Sequence, residues 1–154
     1  MQNFDDKNQT DFTPNNGGAL VKGVIVGIIL DLIFSITISL FFLVIIGCYL
    51  SFTTGSTPEE SVSLSIAIVL NNGNIVFYAL NFVTLFGTMV ASYICCRIAK
   101  QSALKAVMIC AGIMIFFAFL TGFIAFGVLE NIILSLLNLP AYYAGYWLYQ
   151  KNRI

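Results

Sequence analysis

The chain has 154 residues, of which 59% are hydrophobic and only 9% are charged, and its mean hydropathy is +0.93. Soluble domains carry about one quarter charged residues, so this composition is that of a membrane protein. The net charge is zero and the chain has no histidine, so we expect no nucleic-acid partner, no metal or cofactor, and no histidine-assisted nucleophile.

Residues 1–20 are rich in Asn, Asp, Gln, Thr and Gly, and we predict a disordered tail because they offer little to bury. The apolar run at residues 23–50 follows. A helix needs about 20 apolar residues to cross a bilayer, so this run predicts a first membrane span that can tilt or project beyond the lipid. The run is too long for a signal peptide.

A helix start follows the first span in the sequence STPEES. Thr57 fits the N-cap, Pro58 the first helical position, and Glu60 completes a capping box. We therefore predict a short helix at residues 58–70, too short to span and placed in the membrane interface. The same segment alternates apolar and polar residues, so a strand is the alternative.

Three further apolar runs predict membrane spans at residues 75–97, 104–126 and 130–149. The predicted fold is therefore all-α, an integral membrane bundle of four transmembrane helices within a domain of residues 21–154.

The charged residues predict the orientation of these four spans. All seven basic residues fall on the side that holds both termini: Lys7, Lys22, Arg97, Lys100, Lys105, Lys151 and Arg153. The opposite side carries Glu59, Glu60 and Glu130 and no basic residue. The positive-inside rule places both termini in the cytoplasm.

An aromatic cluster near the end of the fourth span predicts a belt at the cytoplasmic face of the membrane. Its members are Tyr142, Tyr143, Tyr146, Trp147 and Tyr149.

The two halves of the chain align with one another. VKGVIVGIILDLIFSI (21–36) aligns with LKAVMICAGIMIFFAF (104–119), and ASYICCRIAK (91–100) with AGYWLYQKNR (144–153). Both hairpins would start and end on the same side, so a repeat would be parallel about an axis along the membrane normal. Chance similarity between apolar spans explains the alignment equally well. In either case Asp31 aligns with Met114, so the carboxylate belongs to the first hairpin alone.

Asp31 is the acidic residue in the interior of the first span, and no basic residue lies within that span. It belongs to a stripe of small and polar residues spaced four apart: Gly23, Gly27, Asp31, Ser35 and Ser39. The second span carries a matching set: Asn81, Thr84, Gly87, Thr88 and Ser92. Positions four apart share a helix face, and small residues permit close helix contact. A lipid-facing carboxylate would cost at least about 2.5–3.5 kcal/mol, so we expect the two faces to meet with Asp31 turned inward.

Two interpretations of Asp31 follow. In the first, Asp31 makes an interhelical hydrogen bond that fixes helix register or joins subunits. In the second, it couples protons or cations in a small transporter. With a single acidic residue in the first of four spans, the chain resembles the small multidrug-resistance transporters, which use a glutamate in this way. The long connection at residues 51–74 and the Tyr-rich fourth span depart from that family.

A second resemblance rests on TMVASYICCRIAKQSALKAV (88–107) and LPAYYAGYWLYQK (139–151). These segments are similar to the span junction and closing span of small uncharacterised bacterial four-span inner-membrane proteins. The resemblance covers about half the chain and implies a fold and a bacterial inner-membrane address, with no activity.

No pattern in the sequence predicts an enzyme. The remaining acidic residues belong to the tail or to the far side of the membrane, so none pairs with Asp31 in one site. We expect a non-enzymatic structural or accessory membrane protein, as a homo-oligomer or with other membrane subunits, with proton- or cation-coupled transport as the alternative.

Overall fold

A computed structural model describes residues 16–70, 75–125 and 128–152 of the chain. Within these ranges the regular structure is entirely helical, which confirms the all-α prediction and excludes a strand at residues 58–70. The helices are α1 (Asn16–Thr54), α2 (Pro58–Leu70), α3 (Ile75–Ala99), α4 (Ala103–Ala125) and α5 (Val128–Lys151), with a 3-10 turn at Lys100–Ser102.

The first helix is longer than the sequence predicts at both ends. It starts at Asn16, so residues 16–20 are helical although their composition placed them in the tail. It ends at Thr54, because Gly55 adopts the left-handed conformation (φ 64°) and donates its N–H to the Ser51 carbonyl at 3.2 Å. The rest of the predicted tail lies outside the described residues.

The capping box predicted for α2 is formed by two reciprocal hydrogen bonds. The Thr57 N–H donates to Glu60 Oε2 at 3.0 Å, and the Glu60 N–H donates to Thr57 Oγ1 at 3.4 Å. The helix buries Ser61, Ser65 and Val69, while larger apolar side chains such as Val62 remain exposed. A polar face is therefore turned inward against α1, and an apolar face outward.

Helices α1, α3, α4 and α5 form a bundle, and α2 packs mainly on α1, where a Cβ at Gly47 would lie 3.4 Å from the Ser65 Oγ. Helix α5 lies against α3 and α4 and across the bundle from α1. Close approach between α1 and α3 depends on glycine. A Cβ added at Gly23 would lie 3.0 Å from the Ala99 Cβ, and one at Gly87 would lie 2.8 Å from the Phe34 Cβ. The order of these contacts makes α1 and α3 antiparallel.

Positions that align in the predicted repeat contact one another in the bundle. Gly27 aligns with Cys110, and a Cβ at Gly27 would lie 3.3 Å from the Cys110 Sγ. Ser92 aligns with Gly145, and a Cβ at Gly145 would lie 2.7 Å from the Ser92 Cβ. Corresponding helices of the two hairpins therefore pack side by side in equal register, α1 with α4 and α3 with α5.

The main difference between the two aligned hairpins is an additional segment in the first. The starting residue of α3, Ile75, aligns with the starting residue of α5, Val128, and the end of α4 aligns with Phe42 in α1. The part of α1 that follows Phe42 and the whole of α2 therefore have no counterpart in the second hairpin.

Two stretches, Gly17–Thr54 and Ile75–Leu120, are long and apolar enough to cross a membrane, and the second contains both α3 and α4. In the most apolar 18-residue window of each stretch, only 6% and 28% of the residues are buried. Large apolar side chains are exposed along these helices, whereas Asp31, Thr88 and Ser92 are buried. Water-soluble proteins show the opposite distribution.

Candidate functional site

Asp31 lies inside the bundle with both carboxylate oxygens hydrogen-bonded. Its side chain is 3% exposed. Thr88 Oγ1 in α3 donates to Oδ1 at 2.7 Å, and the Tyr142 hydroxyl in α5 donates to Oδ2 at 2.5 Å. One side chain therefore connects three helices that are far apart in sequence.

Tyr142 is held in place by a second layer of contacts. It is 1% exposed, and Ser92 Oγ donates to its backbone carbonyl at 2.7 Å. Cys110 Sγ in α4 lies 3.8 Å from the Tyr142 hydroxyl and donates to it, so the network reaches the fourth helix of the bundle. Because Gly145 lacks a side chain, α5 can approach α3 closely enough for these bonds to form.

The position of Tyr142 corrects the predicted aromatic belt. Tyr143 and Trp147 are exposed, as a membrane-facing belt requires, whereas Tyr142 and Tyr149 are buried. The cluster therefore divides between two faces of α5. The buried face carries a tyrosine because its hydroxyl supplies a hydrogen bond that Asp31 needs in an apolar interior.

The stripe predicted on the first span and its matching set on the second divide between a buried helix contact and a partly buried cavity wall. Gly23, Gly27, Asp31 and Phe34 of α1 meet α3. Ser92 differs, because its hydroxyl bonds to α5 and not to α1. The remaining predicted residues line a cavity next to Asp31: Ser35, Ser39, Asn81 and Thr84.

This cavity has a volume of about 450 Å³ and reaches from Asp31 to the C-terminal half of α2. All five helices contribute to its wall. Its polar lining is Asp31, Ser35, Ser39, Asn81, Thr84, Thr88 and Asn138, and its apolar lining includes Phe77, Leu80 and Met114. Asn138 is the polar residue of this lining that the sequence did not predict, and Tyr142, which bonds to Asp31, was not predicted as part of the site. Met114, which aligns with Asp31 in the repeat, faces the same cavity.

The chemistry of the site is that of a buried carboxyl group beside a cavity with both polar and apolar lining residues. Among residues 16–70, 75–125 and 128–152, no three or more His, Cys, Asp or Glu side chains converge on a possible metal position. Cys95, Cys96 and Cys110 are free thiols buried in the helix contacts. Comparisons with protein-family models, curated proteins and solved structures found no match to the chain.

Proposed function

We propose that the chain is a non-enzymatic integral membrane protein, a structural or accessory subunit or a homo-oligomer, whose bundle is held in register by Asp31. The observation that carries the proposal is the pair of hydrogen bonds from Thr88 and Tyr142 to the two oxygens of one carboxylate. In a bilayer, helices gain little from apolar contact with one another, so buried hydrogen bonds and small-residue packing determine which helices associate.

In this proposal α1, α3, α4 and α5 each cross a bacterial inner membrane, and both termini are cytoplasmic. The basic residues of the described helices support it, because they gather at one end: Lys22, Arg97, Lys100, Lys105 and Lys151. The acidic residues Glu59 and Glu60 start α2 at the other end. This asymmetry follows the positive-inside rule.

The proposal predicts a definite pattern of glycosylation in microsomes. The natural acceptor sequence Asn8-Gln9-Thr10 should stay unmodified, because the N-terminus faces the cytoplasm. Thr54→Asn creates an acceptor before Gly55 and Ser56 at the tip of the α1–α2 hairpin, and this variant should gain one glycan. A mass shift on a gel measures both. Modification of Asn8, or none at position 54, would contradict the proposed orientation.

An internal duplication of the α1–α3 hairpin as α4–α5 is part of the proposal. Equal-register contacts support it, since a two-fold axis between repeats brings equivalent residues together. Gly27 with Cys110 and Ser92 with Gly145 are such pairs. Gly23, Gly27 and Asp31 of the stripe on α1 contact other helices within the bundle, so an oligomer would have to use other helix faces.

Coupled transport is the second candidate, and the cavity beside Asp31 is the observation that favours it. If Asp31 exchanges a proton or cation, Asp31→Asn should fold but lose flux, because an amide keeps the shape and cannot titrate. Proton flux into liposomes under a pH gradient, with wild type and Asp31→Asn side by side, measures this. Equal and silent traces from both proteins would count against transport.

A further inference from the structure

Among the described residues, the cavity wall contains one carboxyl group, that of Asp31, and no lysine or arginine. The basic residues of the described chain lie at the ends of the helices, several turns away. An ionised carboxylate in such a setting attracts a cation from outside the protein.

Three polar side chains of the wall each donate a hydrogen to a carbonyl of their own helix. Ser39 Oγ donates to the Ser35 carbonyl at 2.8 Å, and Thr84 Oγ1 donates to the Asn81 carbonyl at 2.7 Å. The Asn81 amide donates to the Phe77 carbonyl at 2.8 Å. Hydroxyl and amide oxygens keep acceptor capacity after their hydrogens are engaged.

Two further wall groups also donate a hydrogen to an oxygen of the protein. Asn138 Nδ2 donates to the Leu134 carbonyl at 3.4 Å, and the Thr88 hydroxyl donates to Asp31. Asp31 itself accepts one bond at each oxygen, about half of what a carboxylate accepts. The wall therefore offers acceptor oxygens around the Asp31 carboxyl group, which suits a cation that carries several N–H donors.

The size and apolar lining of the cavity favour an organic cation over a bare metal ion. Its volume of about 450 Å³ lies within the range of small-molecule sites, about 300–1,000 Å³. Phe77, Leu80 and Met114 supply an apolar surface, and no second carboxylate of the described wall converges on Asp31 to hold a metal.

We propose that this cavity binds a protonated primary amine with an apolar body, with its ammonium group at Asp31 and the neighbouring hydroxyl and amide oxygens accepting its N–H bonds. The site requires only that the bundle forms. Amine binding would be a role of Asp31 in addition to its structural one, since the two bonds from Thr88 and Tyr142 leave acceptor capacity for the ligand.

Titration calorimetry of the full chain in detergent micelles at pH 7 tests the proposal with three related probes. We expect 2-phenylethylammonium to bind. We expect the neutral 2-phenylethanol, which lacks the charge, and the N,N,N-trimethyl analogue, which lacks N–H donors, to bind at least tenfold more weakly. Equal binding of either analogue, or no binding of the amine, would overturn the proposal.

Matched variants locate the site. Asp31→Asn should weaken binding of the amine at least tenfold, whereas Glu59→Gln, which removes an exposed carboxylate at the start of α2, should leave it unchanged. Ala118→Phe fills the cavity from a residue that makes neither of the two hydrogen bonds to Asp31, and it should abolish binding even if Asp31→Asn fails to fold. Unaltered binding in Asp31→Asn or Ala118→Phe would contradict the assignment. Failure of binding would leave the membrane topology untouched, because glycosylation tests that separately.

Discussion

Gly145→Ala should lower the stability of the protein strongly, by about 2–3 kcal/mol, which is the upper part of the range for overpacked interiors. A Cβ at this position would collide with the Met89 carbonyl oxygen and lie 2.7 Å from the Ser92 Cβ. The colliding atom belongs to helix backbone and cannot rotate away, so α5 has to move from α3. The Ser92 bond to the Tyr142 carbonyl would then lengthen, and the Asp31 network with it.

Gly112→Ala is the matched control for this experiment. Gly112 lies in α4, and a Cβ there would meet no atom within 4 Å. Both substitutions add one methyl group to a helix and raise helix propensity equally. Thermal unfolding in one mild detergent should therefore show a large loss for Gly145→Ala and no loss for Gly112→Ala. Equal melting temperatures would mean that α3 and α5 do not pack through Gly145.

Hydropathy and helix caps are sufficient to predict most of the helix bounds from the sequence. Apolar runs predicted α3, α4 and α5 to within a few residues, because a long apolar run bounded by polar residues is typical of one continuous helix. Thr57 and Glu60 predicted the start of α2, because a capping box is a local pattern. The end of α1 was harder to predict, since the largely polar residues 51–54 continue the helix until Gly55 takes a left-handed conformation.

The site was predictable only in part. Four-residue spacing indicated that Asp31 faces the helix that carries Thr88, but hydropathy says nothing of a third partner. Tyr142 sat in a cluster of aromatic residues that resembles an interfacial belt. The spacing within this cluster did carry a signal, because Tyr142, Gly145 and Tyr149 share one face of α5. Tyr143 and Trp147 lie on the opposite face. Which helix that face meets depends on bundle packing and is not encoded locally.

The Asp31–Tyr142 hydrogen bond should also show a large effect. Asp31→Leu removes the acceptor of both the Thr88 and Tyr142 hydroxyls, and we expect a loss of about 1–2 kcal/mol on the scale of interhelical hydrogen bonds in membranes. Asp31→Asn should lose less, because its amide still accepts one bond and can donate to the other hydroxyl. The free energy of unfolding in mixed micelles measures each variant.

A double-mutant cycle separates this bond from general damage to the core. Tyr142→Phe removes only the hydroxyl, so combining it with Asp31→Leu should cost less than the sum of the two single losses, with a coupling of about 1 kcal/mol. Ser39→Ala provides the control pair, because the Ser39 hydroxyl bonds within α1 and has no bond to Tyr142 in the described structure. Its effect should add to that of Tyr142→Phe within about 0.5 kcal/mol. If the effects of Asp31→Leu and Tyr142→Phe were also additive, the carboxylate would not depend on α5. The register of the bundle would then have to come from the glycine contacts alone.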